Sequence, residues 1–491
     1  MGYMLKAASL FLCQLVLAGQ AWAVDPVCFE CGQDDETPYL SLAAQQFHAR
    51  DYGHKESVKH RRLSLRGRKL FRDTMGLIRK HYVERLSERE ILTASLEKLA
   101  LILPPRCLEE VPRVKGCRDD PETCFSSTLS EMAAHCKLDP ESLLLSALNF
   151  LLSDLDHNSS LLDPGMLREV RISTSGKFGG IGMVVTRRGD DYVVISSIEG
   201  TPAHKAGIRG GDIVLEIDGE RIRGMPLPRV LRKVRGPAGS SIRVTLKNKE
   251  EGTIRSHRLK RKLIRIGPVR SAVLPGGIGY LRIVNFQETT AREVRRALYR
   301  MNRGRKRRLQ SLILDLRDNP GGLFDQAIKV ADLFLSSGVI ISVRGHYARL
   351  NRDFKAKRAG TFRQVPMVVL VNRGSASASE ILAAALQARP HVLLMGERSF
   401  GKASVQGVFL LGRGMALRLT TARYYTPGGE NIDGGGVVPD ILINPIAKEG
   451  QAKNLGLFTR KQGPDDKWVA AAREYLAPSR ATNHSVFSSF Y

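Results

Sequence analysis

The chain has 491 residues, a hydrophobic content of 43% and a formal net charge of +27. That length implies several domains rather than one, the apolar content is ample for sizeable cores, and no low-complexity tract interrupts it. Such a charge points to anionic partners, and what precedes the first domain narrows which ones.

Residues 1–23 hold one lysine, an apolar core from Ala7 to Ala18 and then Ala21-Trp-Ala23, the pattern of a cleavable secretory signal with an A-x-A site. The apolar core is shorter than the roughly 20 residues of an ordinary bilayer span. Export to the periplasm is therefore expected, and nucleic acid is not an expected partner. An anionic membrane surface or another envelope polyanion fits the charge better. The densest basic runs are Lys59-His-Arg-Arg62 with Arg66 to Arg72, and Arg303-Gly-Arg-Lys-Arg-Arg308, each of which alone also reads as a solvated face. Beyond Cys13 the cysteines are Cys28, Cys31, Cys107, Cys117, Cys124 and Cys136, an even set that suggests disulfides in an oxidising compartment. Cys28-Phe-Glu-Cys31 also reads as half a metal site or as a redox pair, but no matching second C-x-x-C favours zinc.

From Leu40 to about Leu152 the pattern is helical: Leu70, Phe71, Met75, Ile78 and Tyr82 fall near 3.6 spacing, as do Ile91, Leu92, Leu96 and Leu99. Pro104-Pro105 breaks it, and the stretch from Cys107 to Cys136 reads as a loop or short-helix insertion. Next come Gly176-Lys-Phe-Gly-Gly-Ile-Gly-Met-Val-Val185, Gly200-Thr-Pro-Ala203 and Ala206-Gly-Ile-Arg-Gly-Gly-Asp-Ile-Val-Leu-Glu-Ile-Asp-Gly219. These alternating strands with Asp-Gly turns resemble a PDZ domain, ending near Leu263. A PDZ domain adds a peptide as a strand at a sheet edge and holds its terminal carboxylate in a backbone nest, here Gly179, Gly180, Ile181 and Gly182.

Past Gly277, Ile278 to Phe286 is a strand pattern, Ala291 to Met301 an amphipathic helix and Leu312-Ile-Leu-Asp-Leu-Arg317 a buried strand. Asp318-Asn-Pro-Gly-Gly322 is a tight turn and the residues after it a helix, an arrangement that aims backbone N–H groups at an anionic oxygen. Val365-Pro-Met-Val-Val-Leu-Val371 reads as another buried strand, and Ile381-Leu-Ala-Ala-Ala-Leu-Gln387 as a helix. Between them lies Asn372-Arg-Gly-Ser-Ala-Ser-Ala-Ser-Glu380. A serine at that junction faces unsatisfied helical N–H groups and the positive end of the dipole, which suits a nucleophile whose substrate becomes an oxyanion. The hydroxyl needs a base. No histidine motif is near, but Lys402 follows Ser399-Phe-Gly, and burial can lower a lysine pKa enough for it to serve.

Four motifs, NRGSASASEIL, SFGKASVQ, LILDLRDNPGG and YYTPGGENIDGGGVVPDI, together resemble the carboxyl-terminal processing peptidases, the tail-specific Ser/Lys proteases. The resemblance runs from about Met75 to Ile443. It implies Ser377 as nucleophile rather than Ser375 or Ser379, Lys402 as general base, and Gln406 as the residue that orients the lysine. It also implies an oxyanion hole from the N–H groups of Gly322 and Ala378, with Gly321 as the less favoured donor. No metal or organic cofactor is implied. The family's usual Asp-Pro-His-Ser stands here as Asp156-His-Asn-Ser159, and His157 is given no catalytic part.

The expected fold is multidomain α+β. A leader spans 1–23, a helical cysteine-containing region 24–165, a PDZ domain 166–263, an α/β protease core 264–448 and a helical tail 449–491. The expected function is an exported serine endopeptidase cleaving proteins near their C-termini, with the PDZ domain reading or gating substrates and a homo-oligomer or adaptor as further partners. The rival readings are a catalytically inactive PDZ-bearing scaffold and an envelope polyanion binder.

Overall fold

The computed structural model describes residues 63–103, 120–249, 251–303, 308–362, 364–443 and 466–477. The expected leader, Cys28, Cys31, Cys107, Cys117, the run from Lys59 to Arg62 and most of the run from Arg303 to Arg308 lie outside these residues. Among the described residues, Lys177–Arg265 form one compact unit and the remainder another. The architecture is mixed α and β, with a helical region, a PDZ fold and an α/β core.

The first helices are α1 (Leu65–His81), α2 (Glu88–Leu101), α3 (Pro121–Cys136) and α4 (Pro140–Leu155). Their starts follow capping chemistry: Ser64, Asp120 and Asp139 each accept a backbone N–H of the first turn, and proline occupies the N-terminal position of α3 and α4. The region around Cys124, expected as a loop or short helix, is the full helix α3. Phe125, Leu129, Met132, Ala133 and Cys136 share one buried face of it, which supplies the packing that the polar residues between them disguise. Cys124 is disulfide-bonded. Strand β1 (Ser160–Leu162) and α5 (Pro164–Ser175) follow.

The PDZ unit contains β2 (Lys177–Gly180), β3 (Met183–Arg188), β4 (Asp191–Ser197), α6 (Pro202–Lys205), β5 (Ile213–Ile217), β6 (Glu220–Arg221), α7 (Leu227–Val234), β7 (Ser241–Lys247), β8 (Ile254–Lys260) and β9 (Lys262–Arg265). Its main sheet runs β3-β4-β5-β7-β8, with β6 on β5, while β2 pairs β9. Ile181, Tyr192, Val194, Ile217 and Val244 fill its core.

The α/β core comprises β10 (Val269–Leu274), β11 (Ile278–Ile283), α8 (Thr290–Asn302), β12 (Ser311–Asp315), α9 (Phe324–Phe334), β13 (Val339–Arg344), β14 (Arg352–Lys355), β15 (Met367–Val371), α10 (Ala378–Gln387), β16 (Val392–Gly396), β17 (Ser404–Gly412), β18 (Met415–Tyr425), β19 (Ile441–Leu442) and α11 (Lys467–Tyr475). One sheet runs β10-β11-β12-β15-β16-β19, parallel except for the β10–β11 pair. β11, β12, β15 and β16 are buried along their whole lengths, as parallel strands covered on both faces are. A second sheet joins β1, β18, β13 and β14, with β17 on β18. Leu417 and Leu419 of β18 pack into the core of helices α1 to α4, whereas Ala422 and Tyr424 belong to the core around the parallel sheet.

Helix α11 is anchored by charge. Arg317, just beyond β12, donates to Asp315 (2.6 Å) and to Asp466 (2.6 Å), and its guanidinium lies 5.3 Å from the Trp468 ring centre. Burial alone would raise the Asp315 carboxyl, but Arg317 and Arg282 hold it below the ordinary range. Among the described residues, no helix is long and apolar enough to cross a membrane.

Asp466 also caps α11 by accepting the Val469 N–H. Asp466→Ala is therefore expected to lower stability by about 2–4 kcal/mol in denaturant unfolding, because a buried guanidinium loses one partner and a helix loses its cap. Hydrogen exchange of residues 467–475 should quicken first, and unchanged exchange there would show that the ion pair does not hold the helix.

Candidate active site

β11, β12, β15 and β16 lie parallel, so the segments that leave their carboxyl ends gather at one edge of the sheet, where ligands of open α/β folds bind. The segment after β12 is the glycine turn. Gly321 has φ 99°, and a Cβ there would meet the Ala376 carbonyl oxygen at 2.8 Å and the Ser377 Cβ at 2.9 Å. Gly322 has φ 134°, and a Cβ would lie 2.3 Å from the Phe286 carbonyl oxygen. Both positions thus require glycine for conformation and for space. The Gly321 N–H donates to the Asn319 side chain at 2.9 Å. Among the hydrogen bonds of the described residues, none engages the N–H of Gly322 or of Ala378.

The serine run after β15 is sewn to that turn. Ser375 is buried and its hydroxyl donates to the Leu316 carbonyl at 2.8 Å. Ser379 is equally buried and donates to the Asn319 carbonyl at 2.8 Å, which also accepts the Ala376 N–H at 3.0 Å. These two hydroxyls are committed to structure. Ser377 is only half-buried, and among the described residues its hydroxyl donates no hydrogen bond. It stands at φ 54° and ψ −113°, immediately before α10. A side chain in that region costs of order 1–3 kcal/mol and persists where the surroundings impose it.

Lys402 lies on the segment after β16, mostly enclosed by the protein. Burial lowers its amine below the usual lysine range, Arg418 adds to the shift, and Asp156, Glu380 and Asp433 oppose it. Glu380 ties the two segments together. One of its carboxylate oxygens accepts the N–H of Ser377 at 2.7 Å and of Lys402 at 2.9 Å. The other accepts the Ser399 hydroxyl and the Gly401 N–H, both at 2.6 Å. Burial raises the Glu380 carboxyl, and these four donors pull against it. The Tyr424 hydroxyl adds a second tie, meeting the Ser377 carbonyl at 3.3 Å and donating to the Lys402 carbonyl.

Gln406 falls in β17, with a register shift between Val405 and Gln406. Its Nε2 donates to the Ser404 hydroxyl oxygen at 2.8 Å, and no hydrogen bond between Gln406 and Lys402 is present among the described residues. His157 is exposed on a turn. In the PDZ unit, Gly179 and Gly180 end β2, Ile181 is fully buried and Gly182 has φ 77°. The carbonyls of Ile181 and Gly182 accept bonds from Ala203 and Ile198, while among the described residues their N–H groups are not engaged.

Glu380 and Tyr424 carry no role in the sequence reading. The signal for Glu380 was the spacing Ser377-x-x-Glu380, the pattern of a side chain reaching back to the start of its own helix.

A strained serine, a mostly enclosed lysine and a paired-glycine turn share this edge of the sheet, and the family and sequence matches define a serine-type peptidase. Residues 277–443 match peptidase family S41, and residues 193–248 match the PDZ domain. Over 322 residues the chain is 42% identical to the carboxy-terminal-processing protease of Bartonella bacilliformis, covering 65% of this chain and 74% of that one. It is 34% identical over 306 residues to a carboxy-terminal processing protease of Bacillus subtilis, covering 62% and 65%. A solved structure of a photosystem II D1 C-terminal processing protease aligns with 78% of this chain and 94% of its own, at 29% identity and a TM-score of 0.45. The chain belongs to the carboxy-terminal-processing protease family.

The strain at Ser377 can be measured directly. Ser377→Gly is expected to be more stable than Ser377→Ala by about 1 kcal/mol in chemical unfolding, because glycine adopts this φ and ψ freely. Equal stabilities would mean that the position carries no conformational cost.

Proposed function

We propose that this protein is an exported endopeptidase that uses a Ser377/Lys402 dyad to cleave protein substrates near their C-termini. The observation that carries this reading is the single Glu380 oxygen that accepts the N–H of both Ser377 and Lys402. The backbones of two separate segments thus meet at one carboxylate, one carrying a strained serine and the other a lysine whose amine has its proton affinity reduced, which supports the pairing.

In this mechanism neutral Lys402 Nζ takes the proton of Ser377 Oγ as that oxygen bonds to the peptide carbonyl carbon. The carbonyl oxygen becomes an oxyanion that accepts from the N–H groups of Gly322 and Ala378, which other partners leave available. Gly322 is preferred to Gly321 because the Gly321 N–H already donates to Asn319. Collapse of the intermediate breaks the C–N bond, and the protonated lysine gives its proton to the leaving amine. Water then attacks the acyl-enzyme with Lys402 again accepting a proton. Gln406 orients the lysine.

The unengaged N–H groups of Ile181 and Gly182 suit a carboxylate nest, so we assign recognition or gating of substrate C-termini to Gly179, Gly180, Ile181 and Gly182. The leader-like residues 1–23 support export to the periplasm, and the net charge of +27 supports contact with an anionic membrane surface.

Ser377→Ala and Lys402→Ala are each expected to lower turnover of a protein substrate at least about 10²-fold while leaving the circular dichroism spectrum unchanged. New C-termini mapped after digestion of an envelope extract would identify the cleavage position. Wild-type-like turnover by Lys402→Ala would refute the dyad, whereas wild-type turnover no greater than that of Ser377→Ala would leave a PDZ-bearing scaffold as the better reading. Because the neutral amine is the active form, kcat/KM should rise with pH to a plateau. The rise should fall below the pKa of about 10.4 of a free lysine, since burial favours the uncharged side chain.

A further inference from the structure

The segment Asp156-His-Asn-Ser159, which departs from its family pattern, is fastened to the strands beside the lysine. Asp156 Oδ1 accepts the N–H groups of Asn158 (2.7 Å) and Ser159 (3.0 Å) and the Thr420 hydroxyl (2.9 Å). Its Oδ2 accepts the Ser159 hydroxyl at 2.8 Å, whose oxygen in turn accepts the Thr420 N–H at 3.1 Å. The turn is thus locked onto β18 without help from the Asn158 side chain. Asn158 then reaches both strands of the hairpin: its carbonyl accepts from Arg418 Nε at 2.9 Å, and its Nδ2 donates to the Ser404 hydroxyl oxygen at 3.2 Å. Ser404 is buried, and the same oxygen accepts Gln406 Nε2 at 2.8 Å. One hydroxyl oxygen therefore receives two side-chain amides, one from the helical region and one from the strand that follows the lysine.

We propose that Asn158 and Ser404 are positioning residues for the proteolytic reaction, fixing which end of the Gln406 amide is turned toward Lys402. The proposal rests on the reading of Lys402 as the base and Gln406 as its orienting group. An amide whose N–H group is held by Ser404 keeps its carbonyl oxygen as an acceptor. That oxygen can take an N–H of the neutral lysine and leave the amine lone pair for the Ser377 proton. Reversed, the amide would present its own N–H to the lone pair and compete with the serine for it. Asn158 donates to the same Ser404 oxygen, so the orientation is supported from the end of the helical region as well as from β17.

The test uses the full chain and steady-state cleavage of a protein substrate. Asn158→Ala and Ser404→Ala are each expected to lower kcat about tenfold with KM little changed, the size of effect that one lost positioning hydrogen bond produces. Ser404→Thr, which keeps the hydroxyl, should restore most of the rate. In a double-mutant cycle, Asn158→Ala and Ser404→Ala should each cost little once Gln406 is already alanine, because all act through that one amide. Asn158→Ser serves in place of Asn158→Ala if the latter does not fold.

Full activity of Asn158→Ala and Ser404→Ala, full additivity with Gln406→Ala, or full activity of Gln406→Ala itself would overturn the proposal while Lys402→Ala remains inactive. Activity in Lys402→Ala would instead remove the underlying dyad. The two failures are therefore distinguishable.

Discussion

A single buried carboxylate bears most of the weight at this site. Glu380 sits in the first turn of α10 with no exposed surface, and four donors from two separate segments converge on its two oxygens. A carboxylate without partners could not remain charged at that depth, whereas one with four hydrogen bonds is a rigid node. The serine junction and the lysine segment each bond to it. Neither could shift without breaking at least one hydrogen bond to this buried carboxylate.

Around that node, the parallel sheet delivers the remaining parts. β12 ends in the glycine turn, β15 in the serine run and β16 in the lysine segment, so strand order alone brings three chemistries to one edge. Asn319 connects the first two through its backbone carbonyl, which accepts both the Ala376 N–H and the Ser379 hydroxyl. The flanking serines are as deeply buried as any apolar core residue, and this division of labour leaves Ser377 as the one hydroxyl of the run without a structural donation. Backbone strain is then concentrated at the residue we propose as the nucleophile.

Much of this edge was legible in the sequence because it depends on short-range pattern. The apolar run Val365 to Val371 announces a buried strand, the alanine-rich stretch after it a helix, and the paired glycines a turn that admits no side chain. The buried pairing of Glu380 with Ser399, Gly401 and Lys402 was not legible, since hydrogen bonds between distant segments leave no periodicity. The same holds for Asp156 with Thr420 and Asn158 with Ser404. Helix α3 is a different kind of miss. Asp120-Pro121 and the spacing of Phe125, Leu129 and Met132 carry the helical signal, but the break at Pro104-Pro105 makes the stretch after it read as a loop or short-helix insertion.

Strand β18 has two memberships: Leu417 and Leu419 complete the helical core, and Ala422 and Tyr424 complete the one beneath the parallel sheet. No cut in the chain can separate those cores, because a continuous length of extended backbone is common property of both. A truncation that dropped the leading helices would strip two leucines of their cover and leave an apolar patch exposed on the hairpin. The helical region is therefore a permanent part of the peptidase's framework, inherited or lost with it, and is no detachable accessory.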